Sequence, residues 1–154
     1  MNIKKIWVYF SLLLVSIFVS VISFTPDIYA ADIAVIANKD YPADSITVGQ
    51  LKNIYLGEKR IESGVKINPI NQQDANEIKI LFIKKVFSGL SVESYHQYWI
   101  GKLFRDGITP PKKEDSSENV IKRVSSEKGS MGYVWVNEAQ RVKSIKILTV
   151  IRGN

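Results

Sequence analysis

The N-terminal segment decides how much of this chain is left to fold into a domain. Two lysines precede an almost unbroken apolar run from Ile6 to Phe24, which is typical of a secretory signal peptide. Pro26 breaks a helix beyond the run, and the small residue Ala30 suits a cleavage position. We therefore expect a signal peptide over residues 1–30. The alternative is an uncleaved membrane anchor, since the run is long enough to span a bilayer.

Signal cleavage would leave a chain of modest size and positive charge. Removing 30 of the 154 residues leaves 124, enough for one compact domain but too few for two sizeable lobes. We therefore predict a single domain over residues 31–154. The signal segment contains two of the 21 basic and one of the 15 acidic side chains, so the mature net charge is 19 minus 14, or +5. This excess favours encounters with anions without identifying one.

Several classes of function lack the residues that they need. The chain contains no cysteine, which excludes disulfides, a thiolate zinc site, a cysteine nucleophile and a lipid-modified cysteine, so we expect a soluble periplasmic protein. No Gly-x-Ser-x-Gly motif occurs, and the single histidine, His96, has no identifiable catalytic partner. Glu93 and His96 have the spacing of one di-iron helix motif, but such sites need two copies, so we expect His96 to face solvent. We predict no enzyme activity, no metal site and no cofactor.

Short apolar runs alternate with helical patterns along the rest of the chain. The runs DIAVIANKD, VKINPIN, MGYVWV and SIKILTVI predict four strands, and Pro69 suggests an edge strand or a strand end. Thr47 and Gln50 have capping-box spacing at one helix, and Ser91 can cap another. The proline-containing segment ITPPKKEDSSE is expected to be a loop. The order β-α-β-α-α-α-β-β predicts an α/β domain in which helices pack on a sheet of about four strands.

Three motifs follow one another within residues 32–136. Their residues are Tyr55, Gly57 and Gly64, then Tyr98, Trp99, Phe104, Pro110 and Pro111, then Gly129, Gly132, Tyr133 and Val134. Together they resemble the phosphate-binding-protein family of ABC transporters, a branch of the type II periplasmic binding fold. The resemblance implies a single lobe of a fold that normally encloses its ligand between two lobes.

The stretch INPINQQDANEIKILF joins the second predicted strand to a helix. In the family that this chain resembles, phosphate is held there by an Arg and by a Ser-Gly-Thr sequence at the helix start. Backbone N–H groups, hydroxyls and the positive helix end suit an anion there. The matching positions here are Gln72 for the Arg and Asn76, Glu77 and Ile78 for the Ser-Gly-Thr, so none of the four family residues is kept.

Two carboxylates at this junction have the spacing of a helix cap. We expect Asp74 and Glu77 to accept the free N–H groups of the helix start and to repel a phosphate. The favoured interpretation of the junction is a capped structural helix. The alternatives are tight phosphate binding, and a neutral or cationic polar ligand or a partner contact through Gln72, Gln73 and Asn76.

Other conspicuous side chains have structural interpretations. Tyr95 and Trp99 lie four residues apart and are expected to pack in the core rather than to form a ligand platform. Lysines 79, 84, 85 and 102 could form a basic patch, but no aromatic residues alternate with them, so we expect no nucleic-acid binding.

The sequence favours two functions from different classes. The first is an exported substrate-binding-like protein related to phosphate transport receptors, with a binding or accessory role and a small polar ligand or oxyanion as its partner. The second is an envelope interaction module that keeps the lobe as a scaffold and contacts another protein or a second copy of itself. Membrane contact is expected only if the signal is uncleaved.

Overall fold

The computed structural model describes residues 31–153, so the predicted signal peptide lies outside the described residues. The strands of the described part are β1 (Ile33–Asn38), β2 (Ile61–Glu62), β3 (Val65–Lys66), β4 (Asn68–Gln72), β5 (Lys112–Glu114), β6 (Ser130–Trp135) and β7 (Ile145–Ile151). Its helices are α1 (Val48–Tyr55), α2 (Glu77–Val86), α3 (Val92–Asp106), α4 (Ser117–Ser126) and α5 (Val136–Ala139). None of these helices is long and apolar enough to cross a membrane.

Five of the strands form one sheet in the order β5-β4-β6-β1-β7. Strand β4 is parallel to β5 and to β6, whereas β1 is antiparallel to β6 and to β7. The strands β2 and β3 form a separate hairpin. The carboxyl ends of β4, β5 and β6 therefore share one edge of the sheet, and a helix follows each of them. The α/β fold class is confirmed, with five strands in the main sheet.

Strand β5 corrects one expectation from the sequence. Lys112–Glu114 lies in the segment predicted to be a loop, and it becomes a strand because it pairs with Ile70–Gln72 of β4. Pro69 pairs with Met131 of β6, just before the pairing with β5 begins. Proline has no N–H to donate, so this position, with a strand on one side only, suits it.

The sheet separates two cores. All six residues of β1 are buried, as its continuous apolar sequence predicts, and alternate side chains point into opposite cores. Helices α1, α2 and α3 cover one face, where the rings of Phe82 and Tyr133 stack with centroids 3.8 Å apart. Helices α4 and α5 cover the other face through Val120, Val124 and Ala139.

Two of the predicted helix starts are confirmed. The Thr47 side chain accepts a hydrogen bond from the Gln50 backbone N–H, and the Gln50 side chain accepts one from the Thr47 N–H, which completes the capping box of α1. The Ser91 hydroxyl accepts from the Ser94 N–H at 3.0 Å and caps α3.

We predict that Gly129→Ala destabilises the protein by at least about 2 kcal/mol. The φ angle of Gly129 is +78°, and a Cβ there would overlap the carbonyl oxygen of Lys66. Gly64→Ala is the matched control, because Gly64 has a φ of +79° but open space around its Cβ position. The control should lose only the left-handed penalty of about 1 kcal/mol. Urea unfolding measures both, and equal losses would contradict the predicted overlap.

Candidate functional site

Two helix starts meet at the carboxyl edge formed by β4 and β5. Gln72 ends β4 and pairs with Glu114, which ends β5. The two loops that follow are joined through Asn76, whose side-chain amide donates to Gln72 Oε1 at 3.1 Å and to the Asp115 carbonyl oxygen at 3.4 Å. The starts of α2 and α4 therefore lie side by side at the edge where parallel α/β sheets usually bind ligands.

Hydrogen bonds from buried tyrosines hold β4 on the face of the sheet that α1, α2 and α3 cover. The Tyr55 hydroxyl donates to the Ile70 carbonyl oxygen at 2.9 Å, and the Tyr95 hydroxyl donates to the Tyr55 carbonyl oxygen at 2.8 Å. The Asn71 amide donates to the Tyr95 hydroxyl at 3.3 Å. Burial raises the pKa of Tyr95 to about 12 and also raises that of Tyr55. These hydroxyls are therefore neutral hydrogen-bonding groups that hold the strand.

Tyr133 extends this hydrogen-bond network to the end of β4. Its hydroxyl donates to Asn71 Oδ1 at 2.9 Å and accepts from the Gln72 backbone N–H at 3.2 Å. Burial raises its pKa well above the ordinary value. The Asn71 side chain and the Gln72 backbone N–H, both buried, thus have hydrogen-bond partners within the protein, as burial of polar groups requires.

The three candidate ligand-binding residues differ in how free they are. Gln72 is buried, and its amide donates to the Tyr133 carbonyl oxygen at 3.0 Å and to Ser117 Oγ at 3.3 Å. Asn76 is half-buried and bonded as described above. Gln73 is exposed, and its side chain has no hydrogen-bond partner among residues 31–153. Ligand binding by these residues stays a prediction, and Gln73 is the one whose amide is available.

The expected cap by Asp74 is wrong. Helix α2 has Asn76 at its N-cap, without a side-chain cap bond, and Asp74 lies two residues earlier. Each carboxylate oxygen of Asp74 instead meets one lysine, Lys79 Nζ at 2.5 Å and Lys113 Nζ at 2.5 Å. Two cations from α2 and β5 attract this carboxylate more strongly than backbone N–H groups do.

The pKa values of this trio follow from its burial and its charges. Partial burial would raise the pKa of Asp74, but the hydrogen bonds and charges of Lys113 and Lys79 outweigh it and lower the pKa from 3.8 to about 2. Burial lowers the pKa of Lys79, and Asp74 opposes this effect. Because the folded pKa of Asp74 lies below its unfolded value, the contribution to stability is complete above about pH 4 and is lost as the pH falls toward 2.

The start of α2 is left open by this arrangement. The backbone N–H groups of Glu77 and Ile78 have no hydrogen-bond acceptor in the described part of the chain. Glu77 is exposed and lies in the first turn, where its charge complements the helix dipole without forming the expected cap.

The start of α4, by contrast, has a side-chain cap. Ser116 Oγ accepts from the Asn119 backbone N–H at 3.3 Å, and Asp115 Oδ1 accepts from the Asn119 side-chain amide at 2.6 Å. The hydrogen bonds from Asn119 and Ser116 lower the pKa of Asp115. The backbone N–H groups of Ser117 and Glu118, the first two residues of α4, have no acceptor among residues 31–153 either, so the two adjacent helix starts differ in the side-chain cap that α4 has and α2 lacks.

The remaining sequence candidates have structural positions. Tyr95 and Trp99 are buried in the core with ring centroids 6.4 Å apart, as predicted. His96 is exposed, as expected, and Glu93 accepts a hydrogen bond from the Gln97 side chain at 2.8 Å.

Sequence reasoning missed the roles of Lys79 and Lys113. Lys79 is 1% exposed and so cannot belong to the basic patch that the sequence allowed, and Lys113 lies on β5, in the segment expected to be a loop. The helical periodicity gave no signal for a buried lysine, because its partner Asp74 lies outside the helix and its neighbour Lys113 is 34 residues away along the chain.

We predict that Asp74→Asn lowers stability at neutral pH by about 1 to 3 kcal/mol, because it leaves the buried Lys79 without a charged partner. The partial exposure of Asp74 keeps the loss below the roughly 3 to 5 kcal/mol seen when one partner of a fully buried pair is removed. Adding Lys79→Met should restore most of the stability. Denaturant unfolding of the single and double variants checks this, and a double variant no more stable than Asp74→Asn would contradict it.

Comparison with known proteins supports the fold. No family model matches the chain, and no curated protein matches it. A protein classed as a phosphate ABC transporter substrate-binding protein from Clostridium perfringens, solved with bound phosphate, has a TM-score of 0.61 and 20% identity over 79% of this chain and 46% of its own. An ABC-type phosphate transport receptor from Vibrio cholerae gives 0.60 and 16% over 79% and 47%, and PstS from Borrelia burgdorferi gives 0.58 and 21% over 77% and 47%.

The chain thus spans about half the length of these solved structures. Identities of 16–21% support the shared fold and assign no residue roles. The described residues have an α/β fold that matches about half of each of these receptor structures.

Proposed function

We propose that this protein is an exported, periplasmic substrate-binding-like module that holds a small oxyanion weakly at the start of α2. The observation that carries the proposal is the fold shared with phosphate-binding receptors, in which this chain has an open helix start beside the carboxyl end of β4. Those neighbours are binding and transport receptors, which is the class of function that we assign here.

The charges at the junction are more favourable to an anion than the sequence suggested. Asp74 is neutralised by two lysines, so the trio of Asp74, Lys79 and Lys113 carries a net charge of +1. Lys113 is its exposed cation, with a side chain that is 36% accessible. The free N–H groups of Glu77 and Ile78 add two donors at the positive end of a helix.

Glu77 is the main group that opposes an anion at this position. Its carboxylate belongs to the first residue of α2, whose N–H is one of the two free donors. Two unit charges ~4 Å apart in water repel by about 1 kcal/mol, which corresponds to roughly fivefold in affinity. The value for water applies because Glu77 is exposed. Gln72 also lies where the phosphate-binding proteins that this chain resembles have an arginine. We therefore expect the affinity of the wild type for an oxyanion to be low.

The open geometry of the carboxyl edge also predicts a low affinity for a small ligand. Small-molecule sites usually bury most of the surface of their ligand, and one wall cannot do so. Solved structures with this fold are about twice as long as the part matched here. We infer that the carboxyl edge forms one wall of a ligand cleft, and that a second lobe or a second protein chain supplies the other wall.

We predict that Glu77→Gln tightens the binding of inorganic phosphate by about fivefold, because it removes the repulsive charge and keeps the backbone donors. Isothermal titration calorimetry at neutral pH measures the change. Glu93→Gln is the matched control, since it makes the same substitution in the first turn of α3.

The control should bind phosphate as the wild type does. Equal affinity of Glu77→Gln and wild type would show that the start of α2 does not hold the anion. The absence of binding heat for phosphate and sulfate with either protein, at millimolar concentrations, would refute the oxyanion function itself.

A second function is favoured by an apolar patch on α3. Ile100, Leu103 and Phe104 lie three and four residues apart and therefore share a surface of this helix. Their exposed fractions are 38%, 41% and 86%. An aromatic ring that exposed suits a protein contact, and we propose self-association through this patch as the alternative to small-ligand binding.

For this alternative we predict that the wild type forms a dimer with rising concentration, whereas Phe104→Ser stays monomeric. Val48→Ser is the control, because Val48 is also exposed but lies on α1. Sedimentation velocity distinguishes the three proteins. A monomeric wild type at every concentration, or the same association in all three, would refute self-association through α3.

A further inference from the structure

A second concave site lies at the opposite edge of the sheet from the start of α2. A cavity of about 390 Å³ opens between the β2–β3 hairpin, the amino ends of β4 and β5, and the loop that follows α3. This volume falls within the range of small-molecule sites. The parallel direction of β4 and β5 separates the two sites, because one lies where these strands begin and the other where they end.

The floor of this cavity is apolar and held rigidly. The ring of Trp99 forms part of it and is 4% exposed. Gly57 lies against that ring, so closely that a Cβ at this position would come within 2.7 Å of Trp99 Cη2. Ile67 and Ile70 are buried beside it. Only a small part of this floor is exposed, so an apolar group in the cavity would contact it together with Ile108 and Pro110, which also line the cavity.

The rim of the cavity carries cations that have no structural partner. Arg60, Lys66 and Lys112 line it, are exposed, and make no ion pair with any of the residues 31–153. The carboxylate of Glu127 also lines it, but this group is bonded to Arg123 Nη1 at 2.7 Å. The cavity therefore presents unpaired positive charge around an apolar floor.

These three cations have no evident structural role in capping a helix or in an ion pair of the hairpin. Helices that end at this edge have their own basic residues in the last turn, namely Lys52, Arg105 and Arg123. Arg60 precedes β2, Lys66 ends β3 and Lys112 begins β5, so none of them lies in a helix. Lys59, by contrast, is paired with Glu62.

We propose that this cavity is a binding site for an organic anion with a compact apolar body, such as an aryl phosphate, sulfonate or carboxylate. The apolar body contacts the exposed part of Trp99 together with Ile108 and Pro110, and the anionic group is held by Lys66, Lys112 and Arg60. The site is independent of the oxyanion function proposed above, which uses the other edge of the sheet and requires no apolar body.

Phenyl phosphate is a suitable probe, and Trp99 is a natural reporter. In a ¹⁵N–¹H spectrum the indole N–H peak of Trp99, assigned through Trp99→Phe, should move saturably as phenyl phosphate is added. The indole peak of Trp135, which does not line the cavity, should stay in place. Inorganic phosphate should bind at least about tenfold more weakly, since it lacks the group that packs on the floor.

Charge reversal on the rim tests the cations. The double variant Lys66→Glu/Lys112→Glu should weaken phenyl phosphate binding at least about tenfold. Its control is Lys39→Glu/Lys143→Glu, which makes the same change in net charge at exposed positions away from the cavity and should bind within about twofold of wild type.

Three results would overturn the proposal. They are a Trp99 peak that does not move or does not saturate, equal weakening in the two double variants, and binding of inorganic phosphate as tight as that of phenyl phosphate. The oxyanion function would survive each of them, because its readouts are the calorimetry of Glu77→Gln and the amides at the start of α2.

Discussion

The arrangement of the carboxyl edge depends on how the core holds the end of β4. Buried hydroxyl and amide groups must find partners inside the protein, and here Tyr55, Tyr95 and Tyr133 supply them to Ile70, Asn71 and Gln72 in turn. Tyr133 is itself held by its stack on Phe82. The strand end is thereby placed against α2, and the start of that helix is presented at the surface.

The elements that sequence patterns predicted are those with strong periodicity or strong caps. Burial imposes a regular spacing of apolar residues, and this spacing made it possible to predict β1, β6, β7, α2 and α3 from the sequence. Strand β5 could not be predicted in this way. Lys112–Glu114 consists of charged residues and follows two prolines, and it is a strand only because β4 lies beside it. Pairing of this kind is a tertiary effect that a local pattern does not carry.

The candidate site at the start of α2 was likewise predicted only in part. The sequence located the junction after β4 correctly, from its strand-to-helix character, but assigned the wrong partner to Asp74. A cap was the natural expectation from Asp74 and Glu77 alone. The structure instead supplies Lys113 from the unpredicted β5 and Lys79 from a buried face, so the carboxylate leaves the helix start. One missed strand therefore reversed the electrostatic conclusion, from a blocked helix end to an open one with Glu77 as its remaining negative charge.

The central claim is that the open N–H groups at the start of α2 contact an oxyanion. The most direct measurement is a ¹⁵N–¹H titration of the protein with inorganic phosphate. We expect the backbone amide peaks of Glu77 and Ile78 to move progressively and further than any others, while the capped amides of Gln50 and Ser94 stay in place. Unchanged Glu77 and Ile78 peaks, or equal movement of the capped amides, would contradict an anion site at this helix.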